Sequence, residues 1–298
     1  METLSRILVG IDFDERGSLT EGSTCAARHA LRLAEQCKAE VTFIHSTHRS
    51  AEDPPTPTGA DLAAGRAELG KLCAESDAAT SDLDIVDQAP GLAMIHRVLS
   101  DSYDMVVVAK RNQSRRDDRK LGSVSMQLVR MCPCPVWVIK PGQEMTHKSI
   151  VAATDLSPVG DRATEYGTLI AGLGECDLFV VHAWQLPLEL QMSRSRIGEE
   201  EFQRGTQAIA DSARAHINAI PAVTQLGDRV KVLLANDTPS HAILEVADKL
   251  SPDIVVMGTV SRGGIKGLLV GNTAEKLLYK LDSSLLAVKP DDFISPVR

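Results

Sequence analysis

The chain has few aromatic residues and no long hydrophobic run. Aromatic side chains account for 3% of its 298 residues, which disfavours the stacking surfaces that bind single-stranded nucleic acids. No uninterrupted apolar run approaches the roughly 20 residues that a membrane-spanning helix requires. The opening segment, METLSRILVG, also lacks the basic stretch and long apolar core of a secretion signal. We therefore expect a cytoplasmic protein that does not enter a membrane.

An excess of basic residues is absent as well. The formal net charge is −8 and the isoelectric point is about 5.5. This balance argues against nucleic acid or an anionic membrane surface as the main partner, because either favours a basic face. The hydrophobic content of 43% and the charged content of 24% are ordinary for a globular protein with a normal core.

The motifs of dedicated catalytic sites are missing too. The sequence contains no recognisable Ser-His-Asp or Cys-His arrangement, no His/Glu metal motif and no loop ending in Gly-Lys-Ser or Gly-Lys-Thr. We predict no catalytic residue, no metal site and no enzymatic role, with slow nucleotide hydrolysis left open. Cys132 and Cys134 are one residue closer together than the cysteines of a CxxC redox motif. We expect all six cysteines to be reduced, structural thiols.

What the sequence does contain is an internal duplication. The run RILVGID, which ends at Asp12, matches SIVAATD, which ends at Asp155. His45 and His182 also each end an apolar run, and we interpret both as buried strand-end residues rather than ligands. Three further pairs are each separated by 149 residues: Pro90 and Pro239, Gly122 and Gly271, Pro141 and Pro290. The chain therefore consists of two copies of one unit, which we place at residues 1–144 and 145–298.

Apolar runs alternate with helical patterns in each copy, and five strands are predicted in each. Such alternation predicts an α/β fold with a doubly wound parallel sheet, because right-handed crossovers place helices on both faces. Ligands bind to such folds beyond the carboxyl ends of the strands. Asp12 and Ala109 follow strands in the first copy, as Asp155 and Gly258 do in the second. Each pair is therefore expected to converge in space.

The stretch from Asp253 to Pro290 carries the most specific pattern. An apolar run ends at Met257, a Gly-rich loop extends over residues 258–271, and a helical pattern and a second apolar run follow. This order predicts strand, loop, helix and strand. Glycines let backbone amides approach an anion closely, and a helix N-terminus adds the positive end of a dipole. We expect an anion such as a phosphate group to bind there.

The spacing in this loop resembles that of the universal stress protein family. Its nucleotide-binding members carry Gly, two residues, Gly, nine residues, and then Gly followed by Ser or Thr. Here Gly258, Ser261 and Gly271 stand at the three glycine positions, with Asn272 in place of the hydroxyl residue. Ser and Asn can still donate hydrogen bonds to phosphate oxygens. GTVSRGGI followed by GNTAEKLL is most similar to the E-type tandem members, and the resemblance covers both copies.

This resemblance implies a Rossmann-like fold with the strand order 3-2-1-4-5 in each copy. It also implies that the last strands, PVWVIK (Pro135–Lys140) and SLLAVK (Ser284–Lys289), meet within one chain as a pseudo-twofold pair of domains. Both are apolar edge strands, which favour pairing. Association of two chains into a homodimer is a further expectation.

The resemblance further implies that the second copy binds a nucleotide such as ATP, together with magnesium. The nucleoside would lie on one group of residues and the phosphates on the Gly-rich loop. The predicted set is Asp155, Ala183 and Met257 at the nucleoside, Gly258, Ser261, Gly271 and Asn272 at the phosphates, and the neighbouring Arg262, Gly263 and Thr273. A non-catalytic, regulatory role in the stress response follows, with an unspecified protein partner.

The corresponding positions of the first copy are degenerate. Ala109 and Asn112 replace two glycines, so side chains occupy space that glycines leave open. The cationic residues between 110 and 120 are interrupted by Asp117 and Asp118, which favours a solvated, self-paired loop. We expect no mononucleotide at this site, which comprises Asp12, Ser46, Ala109, Asn112, Gly122 and Ser123.

The second copy carries a longer segment after its second strand. It contains WQLPLELQM at 184–192, which is apolar for a loop and indicates an interface or a lid over a ligand. A helix with Phe202, Ile209, Ala213, Ile217 and Ile220 at helical spacing follows and is expected to pack on the sheet. Two alternatives to a nucleotide function stay open. One is an amphiphile or lipid-like metabolite bound beside this segment, and the other is a scaffold with both sites empty.

Overall fold

The computed structural model describes residues 4–48, 62–110, 122–174, 176–185, 199–259 and 271–297. Strands alternate with helices in both halves, as the apolar and helical patterns predict. The elements of the first half are β1 (Arg6–Gly10), α1 (Glu21–Cys37), β2 (Glu40–Ser46), α2 (Ala63–Ala74), β3 (Ala79–Thr80), β4 (Asp84–Val86), α3 (Pro90–Asp101), β5 (Met105–Ala109), α4 (Ser123–Met131) and β6 (Val136–Ile139).

The second half repeats this order with a longer connection before its third strand. Its elements are β7 (Ser149–Thr154), α5 (Pro158–Gly174), β8 (Asp177–Trp184), α6 (Glu199–Asn218), α7 (Pro221–Leu226), a 3₁₀ turn (Gly227–Arg229), β9 (Val230–Asn236), α8 (Pro239–Leu250), β10 (Ile254–Gly258), α9 (Asn272–Lys280) and β11 (Ser284–Val288). Pro90 and Pro239 both occupy the first turn of their helices, where a missing amide is tolerated.

All of these strands belong to one sheet. Their order is β3-β2-β1-β5-β6-β11-β10-β7-β8-β9, with β4 also on β2. Each half therefore has the predicted 3-2-1-4-5 order, with parallel pairing inside the half. The third strand of the first half is split into β3 and β4, with Ser81 between them. The Ser81 amide still donates to Val41 O at 3.0 Å, which keeps this connection on the sheet edge.

The two halves join through their last strands, as predicted. β6 and β11 pair antiparallel, with Leu286 opposite Trp137. We call this junction of β6 and β11 the seam. A pseudo-twofold axis at the seam explains why pairing is parallel within each half and antiparallel between the halves. Trp137 is buried at the seam, where its ring meets His29 of α1 edge to face at 5.8 Å. The division of the chain at residue 144 and a homodimer remain predictions.

The core lies on both faces of the sheet. Along β1, Ile7 and Val9 belong to the apolar cluster that includes α1, whereas Leu8 belongs to the cluster that includes α3 and α4. Alternate residues of a strand point to opposite faces, so a strand covered on both sides has to be apolar throughout. Each fully buried aliphatic side chain contributes about 2 kcal/mol to folding.

The helix predicted around residues 202–220 is present as α6, but it ends at Asn218, and Ile220 is the N-cap of α7. This helix packs on the rest of the protein over only part of its length. Ala213 and Ile217 are buried, whereas Ile209 is exposed. Of the apolar segment 184–192, Trp184 and Gln185 are described, and the remainder lies outside the described residues. Among the helices that the structure describes, none has the length and hydropathy needed to cross a membrane.

Candidate functional site

Four of the predicted residues lie together at the carboxyl edge of the second half. Thr154, the last residue of β7, is level with His182 on β8, so Asp155 and Ala183 follow side by side. On the other side of β7, Ala153 is level with Met257 on β10, and Gly258 comes next. The β7–β10 boundary is the switch point of this half, where ligands of doubly wound sheets bind. The predicted convergence of Asp155 with Gly258 is therefore present in the backbone.

Asp155 is exposed, and its carboxylate organises the start of α5. Its Oδ1 accepts the Ser157 amide at 3.1 Å and also the Ser157 hydroxyl. Ser157 Oγ in turn accepts the Gly160 amide at 3.3 Å, in the manner of a helix N-cap. Leu156 lies between them with φ at 59°, a left-handed conformation that is costly for a branched side chain. The local turn therefore fixes the direction in which Asp155 projects.

Gly160 is a residue of this site that sequence reasoning missed. A Cβ on Gly160 would lie 2.5 Å from Thr154 Oγ1, 2.8 Å from Asp155 Oδ1 and 3.0 Å from the Asp155 amide. Only glycine allows the first turn of α5 to approach the end of β7 this closely. A glycine two positions after Pro158 was the available signal. This signal is weak, because a glycine can occur in the first turn of a helix for several other reasons.

Gly258 and Met257 bring the backbone of β10 to the same edge. Met257 is buried in the core, so its contribution to the edge is through its backbone. A Cβ on Gly258 would lie 3.2 Å from both methyl groups of Val159 in α5. This contact is tight, and glycine is the residue that fits it without a shift of Val159. β10 and α5 therefore approach each other closely beside Asp155.

The loop after β10 is closed at its base by its own backbone. The Gly271 amide donates to Thr259 O at 2.7 Å, and the Thr259 amide donates to Val288 O at 3.0 Å. The Gly271 amide is thus engaged within the protein. Gly271 is instead the N-cap of α9, with extended backbone, and no side chain within the described residues caps this helix. The first-turn amides of α9, from Asn272 onward, are those aimed out of the helix end.

Four predicted residues lie outside the part of the chain that the structure describes: Ser261, Arg262, Gly263 and Asn112. For Asn272 the backbone is described as the first residue of α9, and Thr273 lies half-buried in the same turn.

The equivalent edge of the first half is filled by its own side chains. Phe13, directly after Asp12, is 4% exposed and pairs with Leu19 through an isolated antiparallel bridge. Its ring meets His45 edge to face at 4.8 Å. A Cβ on Gly65 of α2 would lie only 2.3 Å from the Phe13 ring, so this helix packs directly on it. The space beside Asp12 is therefore occupied by hydrocarbon.

The remaining residues of the degenerate site are present but serve local contacts. The Ser46 hydroxyl donates to Gln88 O at 2.5 Å. Ala109 ends β5, and Gly122 is the extended N-cap of α4, which begins at Ser123. Gly122 and Gly271 thus have the same role in the two halves.

The two strand-end histidines make equivalent contacts with a backbone carbonyl in the two halves. His45 Nδ1 lies 3.1 Å from Ile11 O, and His182 Nδ1 lies 2.9 Å from Thr154 O. Each carbonyl belongs to the residue before the aspartate of its half, and both rings are buried. These contacts place the two histidines in a structural role, as their position after apolar runs predicted.

The family model of the universal stress proteins matches residues 3–140 and again residues 146–289. The chain belongs to the universal stress protein family. Universal stress protein E of Escherichia coli K12 is 28% identical to it over 70% of this chain and 68% of its own length. Universal stress protein Mb2028c of Mycobacterium bovis is 25% identical over 92% of this chain and 93% of its own length. This universal stress protein is therefore a tandem, two-domain member with relatives of the E type.

Solved structures show the same fold over nearly the whole chain. The functionally unknown protein PA1789 of Pseudomonas aeruginosa PAO1 matches with a TM-score of 0.69 and 22% identity, covering 97% of this chain and 94% of its own. Two smaller universal stress proteins have been solved with cAMP and with dAMP, the latter from Archaeoglobus fulgidus. Their TM-scores are 0.37 and 0.32, so they assign no ligand to this universal stress protein.

Proposed function

We propose that the second half of this universal stress protein binds an adenine nucleotide such as ATP, with magnesium, and that this binding regulates a cytoplasmic stress response without catalysis. The observation that carries the proposal is the difference between the two edges. At the second-half edge the exposed Asp155 lies beside Gly258 and the start of α9, whereas Phe13 fills the first-half edge; among the described residues no side chain caps the start of α9 or of α4, so these two starts do not differ.

The donor set at this edge suits an anionic group. The start of α9 presents backbone amides and the positive end of the helix dipole, which together favour phosphate. Because the Gly271 amide already donates to Thr259 O, the phosphate donors in this proposal are the following amides of α9. No group of three metal-binding side chains occurs among the described residues, so magnesium would be held mainly by the phosphates.

Asp155 has a separate task in this proposal. An aspartate at the phosphate end would repel the ligand, so its place is at the nucleoside, where hydroxyl and amino groups donate hydrogen bonds to a carboxylate. Its Oδ1 already accepts from Ser157, which leaves Oδ2 for the ligand. Ala183, with its small side chain, lies beside it on the neighbouring strand and leaves room for a sugar or base.

In this proposal regulation follows because ligand binding is thermodynamically linked to the stability of the second half. A ligand that binds only the folded second half stabilises that half, by roughly 2.7 kcal/mol when its concentration is a hundred times Kd. The segment after β10 connects the site to α9, which contacts α8 on the outer face of the sheet. A change of occupancy there alters a surface that a protein partner can contact.

The proposal is tested by calorimetric titration with MgATP. We expect measurable binding to the native protein and a loss of at least tenfold in affinity for Gly258→Val, whose side chain fills the space beside Val159. The matched control is Ala109→Val, at the equivalent position of the first half, which should leave affinity unchanged. The gentler pair Asp155→Asn and Asp12→Asn makes the same comparison without added volume, because asparagine can still accept from Ser157.

Other outcomes identify the alternatives. Absence of MgATP binding in the native protein, together with binding of a fluorescent fatty acid, contradicts this proposal and supports the amphiphile alternative. A melting temperature indifferent to every nucleotide and amphiphile tested supports the empty scaffold. Phosphate release that scales with protein concentration and disappears in Asp155→Ala overturns the non-catalytic part.

A further inference from the structure

Cys132 and Cys134 form a pair of thiols at the seam between the two halves. Their sulfur atoms are 3.6 Å apart. Cys132 is the C-cap of α4, with its amide on Leu128 O at 2.8 Å, and the chain bends at Pro133 and Cys134 before β6 begins. The two side chains therefore lie on the same side of this bend.

A cation from the other half lies at the end of α4 that Cys132 caps. Lys289 follows β11 and is 1% exposed, and its ammonium donates to Arg130 O in the last turn of α4 at 3.2 Å. The same ammonium lies 4.4 Å from the centroid of the Phe293 ring. Burial lowers the pKa of Lys289 to about 8, and the Cys132 sulfur acts in the opposite direction by favouring the charged amine. A buried cation next to a thiol favours the thiolate.

The pseudo-twofold relation allows the surroundings of Lys289 to be compared with those of its counterpart in the first half. Lys140 of the first half is the counterpart of Lys289, 149 residues earlier, and its ammonium pairs with the carboxylate of Asp282 at 2.9 Å. The counterpart of Asp282 in the first half is Pro133, which carries no anionic group, and a cysteine stands on either side of it. Where one copy presents a carboxylate near the lysine, the other presents two thiols.

The two thiols are not equivalent. A hydrogen bond from the Cys134 thiol lowers the pKa of Cys132; burial opposes this effect, and the Lys289 ammonium adds to it. The pKa of Cys134 is raised well above its usual value, first because its thiol is the partner in that hydrogen bond and then because it is buried. The Lys289 ammonium contacts the Arg130 carbonyl, two residues before Cys132, so we assign Cys132 as the thiol that reacts first and Cys134 as the thiol that reacts with it afterwards.

We propose that Cys132 and Cys134 are a redox site that a small peroxide oxidises to an intrachain disulfide, with Lys289 of the other half as the cation that holds the reactive thiolate. Cys132 is 0% and Cys134 is 8% exposed, which restricts the oxidant to molecules close to water in size. Hydrogen peroxide fits this condition, whereas glutathione disulfide does not.

The chemistry balances without a further reactant. The Cys132 thiolate attacks one oxygen of hydrogen peroxide, so that an S–O bond forms, the O–O bond breaks and hydroxide leaves to become water. The Cys134 sulfur then attacks the sulfur of the resulting sulfenic acid, so that the S–S bond forms, the S–O bond breaks and a second water leaves with the Cys134 proton. Two thiols and one peroxide thus give one disulfide and two waters.

Peroxide treatment of the reduced native protein, followed by alkylation in denaturant and digestion with trypsin, tests this directly. Both cysteines fall in one peptide, residues 131–148, because Pro141 blocks cleavage after Lys140. We expect this peptide to lose its two alkyl groups and to become two daltons lighter than the reduced, unalkylated form. The peptides that carry Cys25 or Cys176 should stay alkylated, since burial raises the pKa of both thiols.

Variants separate the roles of the three residues. Cys134→Ser should accumulate a sulfenic acid on Cys132, which dimedone traps when it is added together with denaturant, whereas Cys132→Ser should give neither disulfide nor adduct. Lys289→Met should slow disulfide formation by roughly tenfold, because the thiolate loses its cationic neighbour, and Lys289→Arg should restore most of the rate. Oxidation of all six cysteines at one common rate, or a Lys289→Met rate equal to that of the native protein, would overturn the proposal.

Discussion

Asp104 and Asp253 lie 149 residues apart and hold the start of the first strand in their respective halves. Asp104 Oδ2 accepts the amides of Ser5 and Arg6 at 2.6 and 2.8 Å, and Asp253 Oδ2 accepts those of Lys148 and Ser149 at 2.6 and 3.1 Å. Each clamp ties the residue before the fourth strand to the strand beside it. The duplication thus extends from the order of elements down to individual hydrogen bonds.

Removal of either carboxylate should destabilise the protein to a similar degree. We expect Asp253→Ala to lower the free energy of unfolding by about 2 kcal/mol, because two strand amides lose a charged acceptor. Asp104→Ala should fall within about 1 kcal/mol of the same value. Urea denaturation followed by circular dichroism measures both. Asp248→Ala on the exposed face of α8 is the control and should change little. A neutral result for Asp253→Ala would show that the clamp contributes nothing.

The seam between the halves should make stability depend on pH. His147 is 6% exposed and stacks on His29 with 5.3 Å between ring centroids. Burial lowers its pKa to about 4; His29 and Arg32 add to this effect, and Asp253 opposes it. The folded state therefore favours the neutral ring. Stability is fully present above the ordinary pKa of 6.5 and is lost as pH falls toward 4, by about 3 kcal/mol in total.

His147→Phe should flatten this acid loss, because phenylalanine keeps the ring and binds no proton. The measurement is the denaturation midpoint between pH 7 and pH 4.5. His29 remains in this variant and its pKa is also lowered by burial, so a smaller slope should persist. The same replacement at the exposed His48 should leave the native slope unchanged. An equal slope in the native protein and His147→Phe would assign the acid sensitivity to other groups.

The exposed end of α1 offers a stabilising change. Lys38 is its C-cap, with φ at 57°, and the Lys38 amide donates to Ala34 O. A left-handed C-cap favours glycine, so Lys38→Gly should raise the free energy of unfolding by about 0.5–1 kcal/mol. Gln36→Gly, two residues earlier inside the helix, should lower it by about 1 kcal/mol. Thermal denaturation compares the two. A lower melting temperature for Lys38→Gly would contradict this account of the cap.

The fold could be predicted from sequence to a greater extent than the site. The strands could be located from the apolar runs that end at Asp12 and Asp155, and the helix starts from the prolines at positions 90 and 239. These signals are local, because they depend on hydrophobic periodicity and backbone chemistry. Phe13 is different. Nothing in its neighbourhood indicates that it turns inward and fills the first-half edge, since that depends on Gly65 of a distant helix. The same holds for the Gly271 amide, whose partner Thr259 is determined by the path of the loop.

Two glycines of α5 give a matched test of the close approach beside Asp155. At Gly160 an added methyl group meets Thr154 Oγ1, Asp155 Oδ1 and the Asp155 amide, all within 3.0 Å, and the amide belongs to the backbone and cannot rotate away. At Gly172 of the same helix nothing lies within 4 Å. Gly160→Ala should therefore lower the free energy of unfolding by about 1–3 kcal/mol, whereas Gly172→Ala should raise it by about 0.5–1 kcal/mol.

The same pair distinguishes stability from ligand binding. If the carboxylate of Asp155 contacts a nucleotide, the displacement caused by Gly160→Ala should weaken MgATP binding at temperatures where the variant remains folded. Gly172→Ala should bind as the native protein does, since Gly172 lies about 18 Å along the helix from Gly160. Native affinity in Gly160→Ala would show that the position of Asp155 does not matter to the ligand. Loss of affinity in both variants would place the effect in α5 as a whole rather than at its first turn.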